Sequence, residues 1–332
     1  MLQGAATLVA LPAETAADAG LAAFVAAATG PALLLLAPIR AAAVLHQPVL
    51  PGTLVAVNLP PSRLDPVSLR ALADPTQSQL AGALTVASAP PLADAALLLA
   101  KLAHLLPAML VAPCSGAASL LAVAAADVLA APHLADTSLV RVAEASVPVA
   151  EAGTARLVAF RPADGGQEHF ALLIGHPEQA EAPLVRIHSE CFTGDVLGSL
   201  RCDCGPQLHQ AIRRMNADGA GVLLYMAQEG RGIGLVNKLR AYALQDAGLD
   251  TLDANRALGW GADERSFVPA ATMLKALGIP RIRLLTNNPD KLAALADHGI
   301  EITARVSHAI AANGVNDAYL ATKARRFGHL LE

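Results

Sequence analysis

Val222-Leu223-Leu224-Tyr225-Met226-Ala227-Gln228-Glu229-Gly230-Arg231-Gly232-Ile233-Gly234-Leu235 passes from an apolar run through a glycine-rich turn into a helix. The run at 222–225 is short and β-like, as a buried strand requires. Leu235–Asp246 has helical phase and stops near Gly248. Strand, turn and helix in that order fix an α/β reading. Such a turn exposes backbone N–H groups and the positive end of a helix, and Arg231 would add a bidentate phosphate donor. The pattern is neither G-x-G-x-x-G nor a Walker loop, so no dinucleotide fingerprint is present. A plain structural turn fits the same residues. Lys238 and Arg240, further along the helix, read as solvated.

The same rhythm extends in both directions. Strands are predicted over Leu139–Ala150, Ala155–Phe160, His169–Ile174, Leu184–His188 and Ile282–Leu285, with a hairpin turn at Pro162–Gly166. Helices are predicted over Gln207–Asn216, Val268–Leu277, Lys291–His298 and Asn316–Phe327. Residues 138–332 therefore form one mixed α+β or α/β domain. Upstream the chain is Ala-rich. Helices are predicted at Glu14–Ala28, Ser68–Ala73 and Asp94–Leu105, a strand at Ala32–Leu36, and a junction near Asp127–Pro132. That alternation suggests a second layered α/β domain.

Composition narrows the function. Residues 1–150 hold 5 Lys+Arg and 8 Asp+Glu, against 19 and 20 in residues 151–332. The charge-poor first part suits packing better than hydrolysis, which needs polar groups aimed at a substrate. The net charge of −4 gives no general grip on nucleic acid. A hydrophobic fraction of 54% argues against disorder, and four cysteines in 332 residues are no disulfide scaffold. No basic segment leads into an apolar run at the N-terminus, so no secretory leader is expected. Leu102–Ala126 has no Asp, Glu, Lys or Arg and passes a crude membrane-span length of about 20 residues. Its alanines, Pro107 and Pro113 favour a buried pair of helices instead, and no membrane partner is expected.

The chemistry-bearing stretch is Arg186-Ile187-His188-Ser189-Glu190-Cys191, continuing to Arg201-Cys202-Asp203-Cys204-Gly205. Its spacing, C-x10-C-x-C, can bring three thiolates onto one zinc ion. Three ligands leave a fourth position for water, as in catalytic sites. A closed structural site completed by His188 or His209, or three unrelated buried cysteines, are the alternatives. Gly205 reads as permitting a sharp turn, and Cys114 as a packed thiol. Asp263 and Arg265, after Gly259-Trp260-Gly261, could handle a water and a phosphate; equally, Asp263 could cap a helix with Glu264 in its first turn. Thr286-Asn287-Asn288-Pro289-Asp290-Lys291 follows a strand at the crevice position where α/β proteins bind ligands. An Asn-Pro helix cap is the alternative there. Together the clusters suggest hydrolysis of a phosphorylated substrate beside zinc.

These residues resemble the GTP cyclohydrolase II family of riboflavin synthesis. The likeness rests on RIHSECFTGDVLGSLRCDCG (186–205), QEGRGIGLVNKLRAYALQD (228–246), GADER (261–265), LLTNNPDK (284–291) and GHLL (328–331). It implies one zinc per chain on Cys191, Cys202 and Cys204, and magnesium with the triphosphate of GTP. It implies conversion of GTP to 2,5-diamino-6-(5-phospho-ribosylamino)pyrimidin-4-one, formate and pyrophosphate by a cytoplasmic homodimer. Arg265 resembles the nucleophile toward the α-phosphate, Asp263 the proton acceptor and Tyr242 the tyrosine near the opening ring. Substrate contacts would fall to Arg186, Ile187, His188, Ser189, Glu190, Gln207, Glu229, Gly230, Arg231, Thr251, Thr286 and Lys291. Family members usually carry arginine where this chain has Ala227. In many bacteria such a domain follows 3,4-dihydroxy-2-butanone-4-phosphate synthase. Residues 1–137 resemble a degenerate, inactive form of that enzyme, lacking its acidic stretch; an unrelated accessory domain is the alternative. A non-catalytic or regulatory nucleotide-binding homologue with structural zinc is the other reading, as is a cyclohydrolase that stops at a partly processed product.

Overall fold

Apolar runs build two sheets of seven strands each, counted over the described residues. The computed structural model describes residues 1–50, 54–77, 84–116, 120–163, 165–310, 313–317 and 326. The first sheet contains β1 (Leu2–Gln3), β2 (Thr7–Pro12), β3 (Leu33–Leu36), β4 (Val55–Asn58), β5 (Thr85–Ala87), β6 (Ala108–Pro113) and β7 (Val123–Ala124). Its order is β5-β4-β3-β6-β2-β1-β7, antiparallel except for the β1–β7 pair. The second contains β8 (Leu139–Val149), β9 (Gly153–Pro162), β10 (His169–Ile174), β11 (Leu184–Ser189), β12 (Gly221–Met226), β13 (Arg281–Leu285) and β14 (Glu301–Val306). Its order is β14-β13-β11-β12-β10-β9-β8. There β14, β13, β11 and β12 are parallel, and β10, β9 and β8 continue as an antiparallel meander. The helices are α1 (Asp18–Ala27), α2 (Pro38–Leu45), α3 (Pro66–Ala73), α4 (Ala93–Leu102), α5 (Ala125–Thr137), α6 (Cys204–Asp218), α7 (Leu235–Asp246), α8 (Thr251–Ala257), α9 (Val268–Ala276) and α10 (Pro289–Asp297). The mixed α/β class expected from the sequence is what forms.

The stretch Leu102–Ala126 is not a pair of helices. It holds β6, between β3 and β2, followed by β7 and the start of α5. Along β6, Ala108, Leu110 and Ala112 enter the core on one side of the sheet, and Met109 and Val111 enter the core on the other. A strand buried on both faces has no polar phase, so its period of two is invisible in the sequence. Among the described residues no helix is long and apolar enough to cross a membrane.

The chain divides into two compact units, residues 1–132 with 233–264 and residues 133–232 with 265–332. The sequence suggested a single break at 137/138; the first crossing lies at Pro132, inside α5. Residues 233–264 return to the first unit because their apolar groups are part of its core. Ile233, Ala241, Ala254, Leu258 and Trp260 cluster with Leu34, Leu36 and Val57. Polar contacts reinforce this within the unit. Arg240 is not solvated: it pairs with Glu14 at 2.8 Å and Asp74 at 3.0 Å. The buried Asn237 amide donates to His104 O at 2.8 Å. Glu14, expected inside a helix, precedes α1 and accepts from Leu106 N at 2.6 Å.

In the second unit the two sheet faces are covered separately. Val185, Ile187, Leu224 and Leu284 pack with α9 residues Ala270, Met273 and Leu274. Leu184, Leu223 and Leu285 pack with Ala211, Ile212 and Met215 of α6. The turn residue Asp164, most of the tail helix expected at Asn316–Phe327, and the GHLL at 328–331 lie outside the described residues.

Candidate functional site

The parallel strands β11 and β13 end side by side, and their carboxyl ends carry the functional groups of the second unit. After β11 the chain makes a π-turn at Phe192–Val196 and returns to α6, whose first residue is Cys204. This excursion brings the three cysteines together: their sulfurs all lie within 4.8 Å of one another, with Cys191 and Cys202 at 3.7 Å. Among the described residues no histidine or carboxylate joins them. His188 binds Asp195, and His209 binds Glu151 at 2.7 Å, so neither closes the site.

Two glycines make this convergence possible. A Cβ on Gly194 would lie 2.7 Å from Cys202 Sγ and 3.0 Å from Cys191 Sγ, well inside contact distance. Gly205 does not serve a sharp turn. It sits in the first turn of α6, and a Cβ there would meet Gly194 O at 2.3 Å. Close backbone approach is the requirement.

The sulfur chemistry fits a soft dication. Hydrogen bonding from the neighbouring Cys191 sulfur, then burial, pushes the Cys202 thiol up to about 11; Cys204 is raised by both neighbouring sulfurs and by burial. Three adjacent thiolates repel one another, and a bound cation relieves that repulsion.

Around the cysteines the side chains interlock. Asp203 is buried and accepts from Gln207 Nε2 at 2.6 Å. Arg186 donates to Gln207 Oε1, and to Leu285 O at 3.1 Å. Burial lowers the Arg186 pKa to about 10, against the pull of Asp203, so it stays charged at neutral pH. His188 lies between both Asp195 oxygens at 3.1 Å, and burial lowers its pKa although Asp195 acts the other way. Tyr225, opposite His188 on β12, stacks on its ring and donates to Asp195 at 3.0 Å. Burial, then Asp195, raises the Tyr225 pKa.

The glycine loop works differently from an open phosphate cradle. Glu229 Oε2 accepts from Phe192 N at 2.6 Å, clamping the cysteine turn, and Oε1 accepts from Gly230 N at 2.7 Å. Gly232 N donates to Gln228 O at 3.2 Å. Gly230 and Arg231 both take left-handed backbone, φ 63 and 64, a conformation that costs a non-glycine residue roughly 1–2 kcal/mol. Glu190 N donates to Met226 O at 2.8 Å, and Ala227 N to His169 Nδ1 at 3.0 Å.

Arg265 and Lys291 meet over one ring, Phe267, that no sequence motif marks. The Arg265 guanidinium lies 5.3 Å from the Phe267 centroid and the Lys291 ammonium 5.4 Å. Arg265 also donates to Ser189 Oγ at 3.2 Å, and buried Lys291 to Ile187 O at 2.8 Å. Thr286 is buried, and its Oγ1 accepts from Asn288 N at 3.0 Å. Asn288 caps α10 through Asp290 N at 2.8 Å, so the Asn-Pro cap is present as well.

Tyr242, Thr251 and Asp263 belong to the first unit. Tyr242 lies on α7 with Lys238 Nζ 5.9 Å from its ring, and Thr251 opens α8. Asp263 caps no helix: α9 starts at Val268 behind Phe267, and Glu264 instead accepts from Gly261 N and Lys101, both at 2.6 Å.

The GTP cyclohydrolase II family profile matches residues 140–307. A GTP cyclohydrolase-2 of Azospirillum brasilense is 54% identical over 246 residues, 71% of this chain and 64% of that protein. The GTP cyclohydrolase-2 of Pasteurella multocida is 51% identical over 192 residues, 58% of this chain and 87% of its own length. The riboflavin biosynthesis protein RibBA of Bacillus mycoides is 49% identical over 205 residues, 62% of this chain and 51% of its own. A solved two-domain 3,4-dihydroxy-2-butanone 4-phosphate synthase, RibBX from A. baumannii, aligns with 91% of this chain and 92% of its own at 15% identity and TM-score 0.33. That likeness is too distant to bear on fold or function.

Proposed function

This chain belongs to the GTP cyclohydrolase II family of enzymes, and from that premise we propose that it hydrolyses GTP at the carboxyl ends of β11 and β13 with the help of zinc. The observation that carries this reading is the convergence of Cys191, Cys202 and Cys204 in the same unit as Arg186, Ser189, Arg265 and Lys291. The cysteines hold one zinc ion, and the ion when bound supplies Lewis acidity and an activated water. The products are 2,5-diamino-6-(5-phospho-ribosylamino)pyrimidin-4-one, formate and pyrophosphate, the first step of riboflavin synthesis.

Each residue then has a task. Arg186, charged and buried, and Gln207 orient the nucleotide, with Ile187, His188, Ser189 and Glu190 lining the same strand end. Glu229, Gly230 and Arg231 complete the loop opposite the cysteine turn. Thr286 and Lys291 face the phosphates, and magnesium travels with the triphosphate, consistent with its preference for phosphate and water oxygens. Arg265 acts at the α-phosphate. An arginine stays protonated at any working pH, so electrostatic clamping suits it better than covalent attack. By family likeness Asp263 accepts a proton, Thr251 contacts the nucleotide and Tyr242 attends the opening ring.

The enzyme works as a cytoplasmic homodimer. Residues 1–137 are a degenerate, inactive synthase-like domain. Its Glu14 and Asp74 are engaged with Arg240, and Asp65 with the N-terminus of α3, which leaves them poorly placed to bind a catalytic magnesium. Incubation of the purified chain with GTP and magnesium, followed by product masses, tests the reading. Equal release of formate and pyrophosphate supports it. GTP bound but unchanged supports the non-catalytic homologue, and a ring-opened product that keeps its formyl group or its triphosphate supports a truncated reaction.

A further inference from the structure

Asp195 gathers donors from three pieces of chain. His188 Nε2 lies 3.1 Å from each of its oxygens; Cys191 N and the Tyr225 hydroxyl each donate to Oδ2 at 3.0 Å. Its side chain is 3% exposed, as is that of His188. Two donors already converge on the Asp195 carboxyl, which therefore faces His188 as an acceptor. His188 therefore carries its proton on Nε2, and its Nδ1 is a lone pair. That Nδ1 is buried and makes no hydrogen bond in the structure. The Tyr225 ring, 5.6 Å away and inclined by 17°, fixes the imidazole plane. A buried acceptor without a partner calls for an explanation, and an absent ligand group is one.

We propose that Asp195 is a positioning residue for the reaction: it locks His188 as the Nε2–H tautomer and so keeps Nδ1 as a bare acceptor for an N–H or O–H of the nucleotide. The same carboxylate holds Cys191 N, so the metal-bearing turn and the imidazole are set by one group. A carboxylate that fixes an imidazole tautomer from behind is a known way to control the opposite nitrogen. This assignment rests on the GTP reading only for the identity of the ligand.

The test uses full-length zinc-loaded protein with 15N-labelled imidazoles, His188 being assigned by its loss in His188→Gln. The wild-type spectrum should show a proton on Nε2 and none on Nδ1. In Asp195→Asn the amide can donate, so the proton should move to Nδ1. Zinc stoichiometry should stay near wild type, and KM for GTP should rise about tenfold or more with a smaller change in kcat, because a ground-state contact is lost. A wild-type His188 protonated on Nδ1 overturns the proposal, and so does Asp195→Asn with wild-type KM. If Asp195→Asn fails to fold, the wild-type spectrum decides. If wild-type protein does not turn over GTP, the functional reading fails, and the tautomer is still judged by the spectrum.

Discussion

Gly194 is held by steric necessity. Any Cβ there enters the sulfur cluster at 2.7 Å from Cys202 Sγ, and the cluster must open to admit it. Gly194→Ala should weaken zinc affinity about tenfold or more, since displaced ligands bind poorly. Chelator competition measures this; unchanged affinity would show that the turn yields freely. At Arg265, lysine keeps the charge but loses the fork. Arg265→Lys should retain pyrophosphate release at roughly a tenth to a hundredth of wild type, as a clamp would, whereas total loss favours covalent attack. The cysteines were legible because thiolate spacing is written along the chain. Gly194 and Phe267 were not. One matters through an absent atom, and the other through a ring that two cations reach only after folding, one from each side of α9 in the sequence. Gly205 reads in the sequence as a turn residue, although close approach to Gly194 O is what it serves.

Elements in the second unit follow the sequence closely because their signals agree. Strands β9, β10 and β11 and helix α9 fall where apolar period, glycine stops and β-like runs place them. In the first unit these cues fail. Alanine is at home in helix and core alike, and β6 is apolar on both sides. The burial of Arg240 was likewise hidden, since its partners Glu14 and Asp74 are remote in sequence. Removing it takes the Arg240 ion pair from two partly buried carboxylates. Arg240→Met should cost about 1–3 kcal/mol of stability in urea unfolding, while zinc stoichiometry stays at the wild-type value. A cost near zero would mean the ion pairs are fully screened.

At the scale of the whole molecule, the sequence shows two domains but not their interleaving. Residues 233–264 carry family motifs, yet their apolar side chains belong to the core of the N-terminal unit, a matter of packing that motif spacing does not encode. Stability should also depend on pH through His169. Burial lowers its pKa to about 4, below the unfolded value of about 6.5. Its contribution is complete above pH 6.5 and is lost as pH falls toward 4, because the unfolded chain then binds the extra proton. The loss is on the order of 2–3 kcal/mol. His169→Asn, which keeps an acceptor for Ala227 N, should flatten this slope between pH 7 and 5 in denaturation midpoints; an unaltered slope would assign it elsewhere.

A three-cysteine zinc centre on this chain should open GTP. Formate and pyrophosphate released per zinc, from full-length protein with GTP and magnesium, test it most directly beside Cys202→Ser. Wild type should hold about one zinc per chain and release both products in equal amounts, and Cys202→Ser should hold little zinc and release no formate. Full formate release from rigorously zinc-free protein, or none from the zinc-loaded wild type, would contradict it.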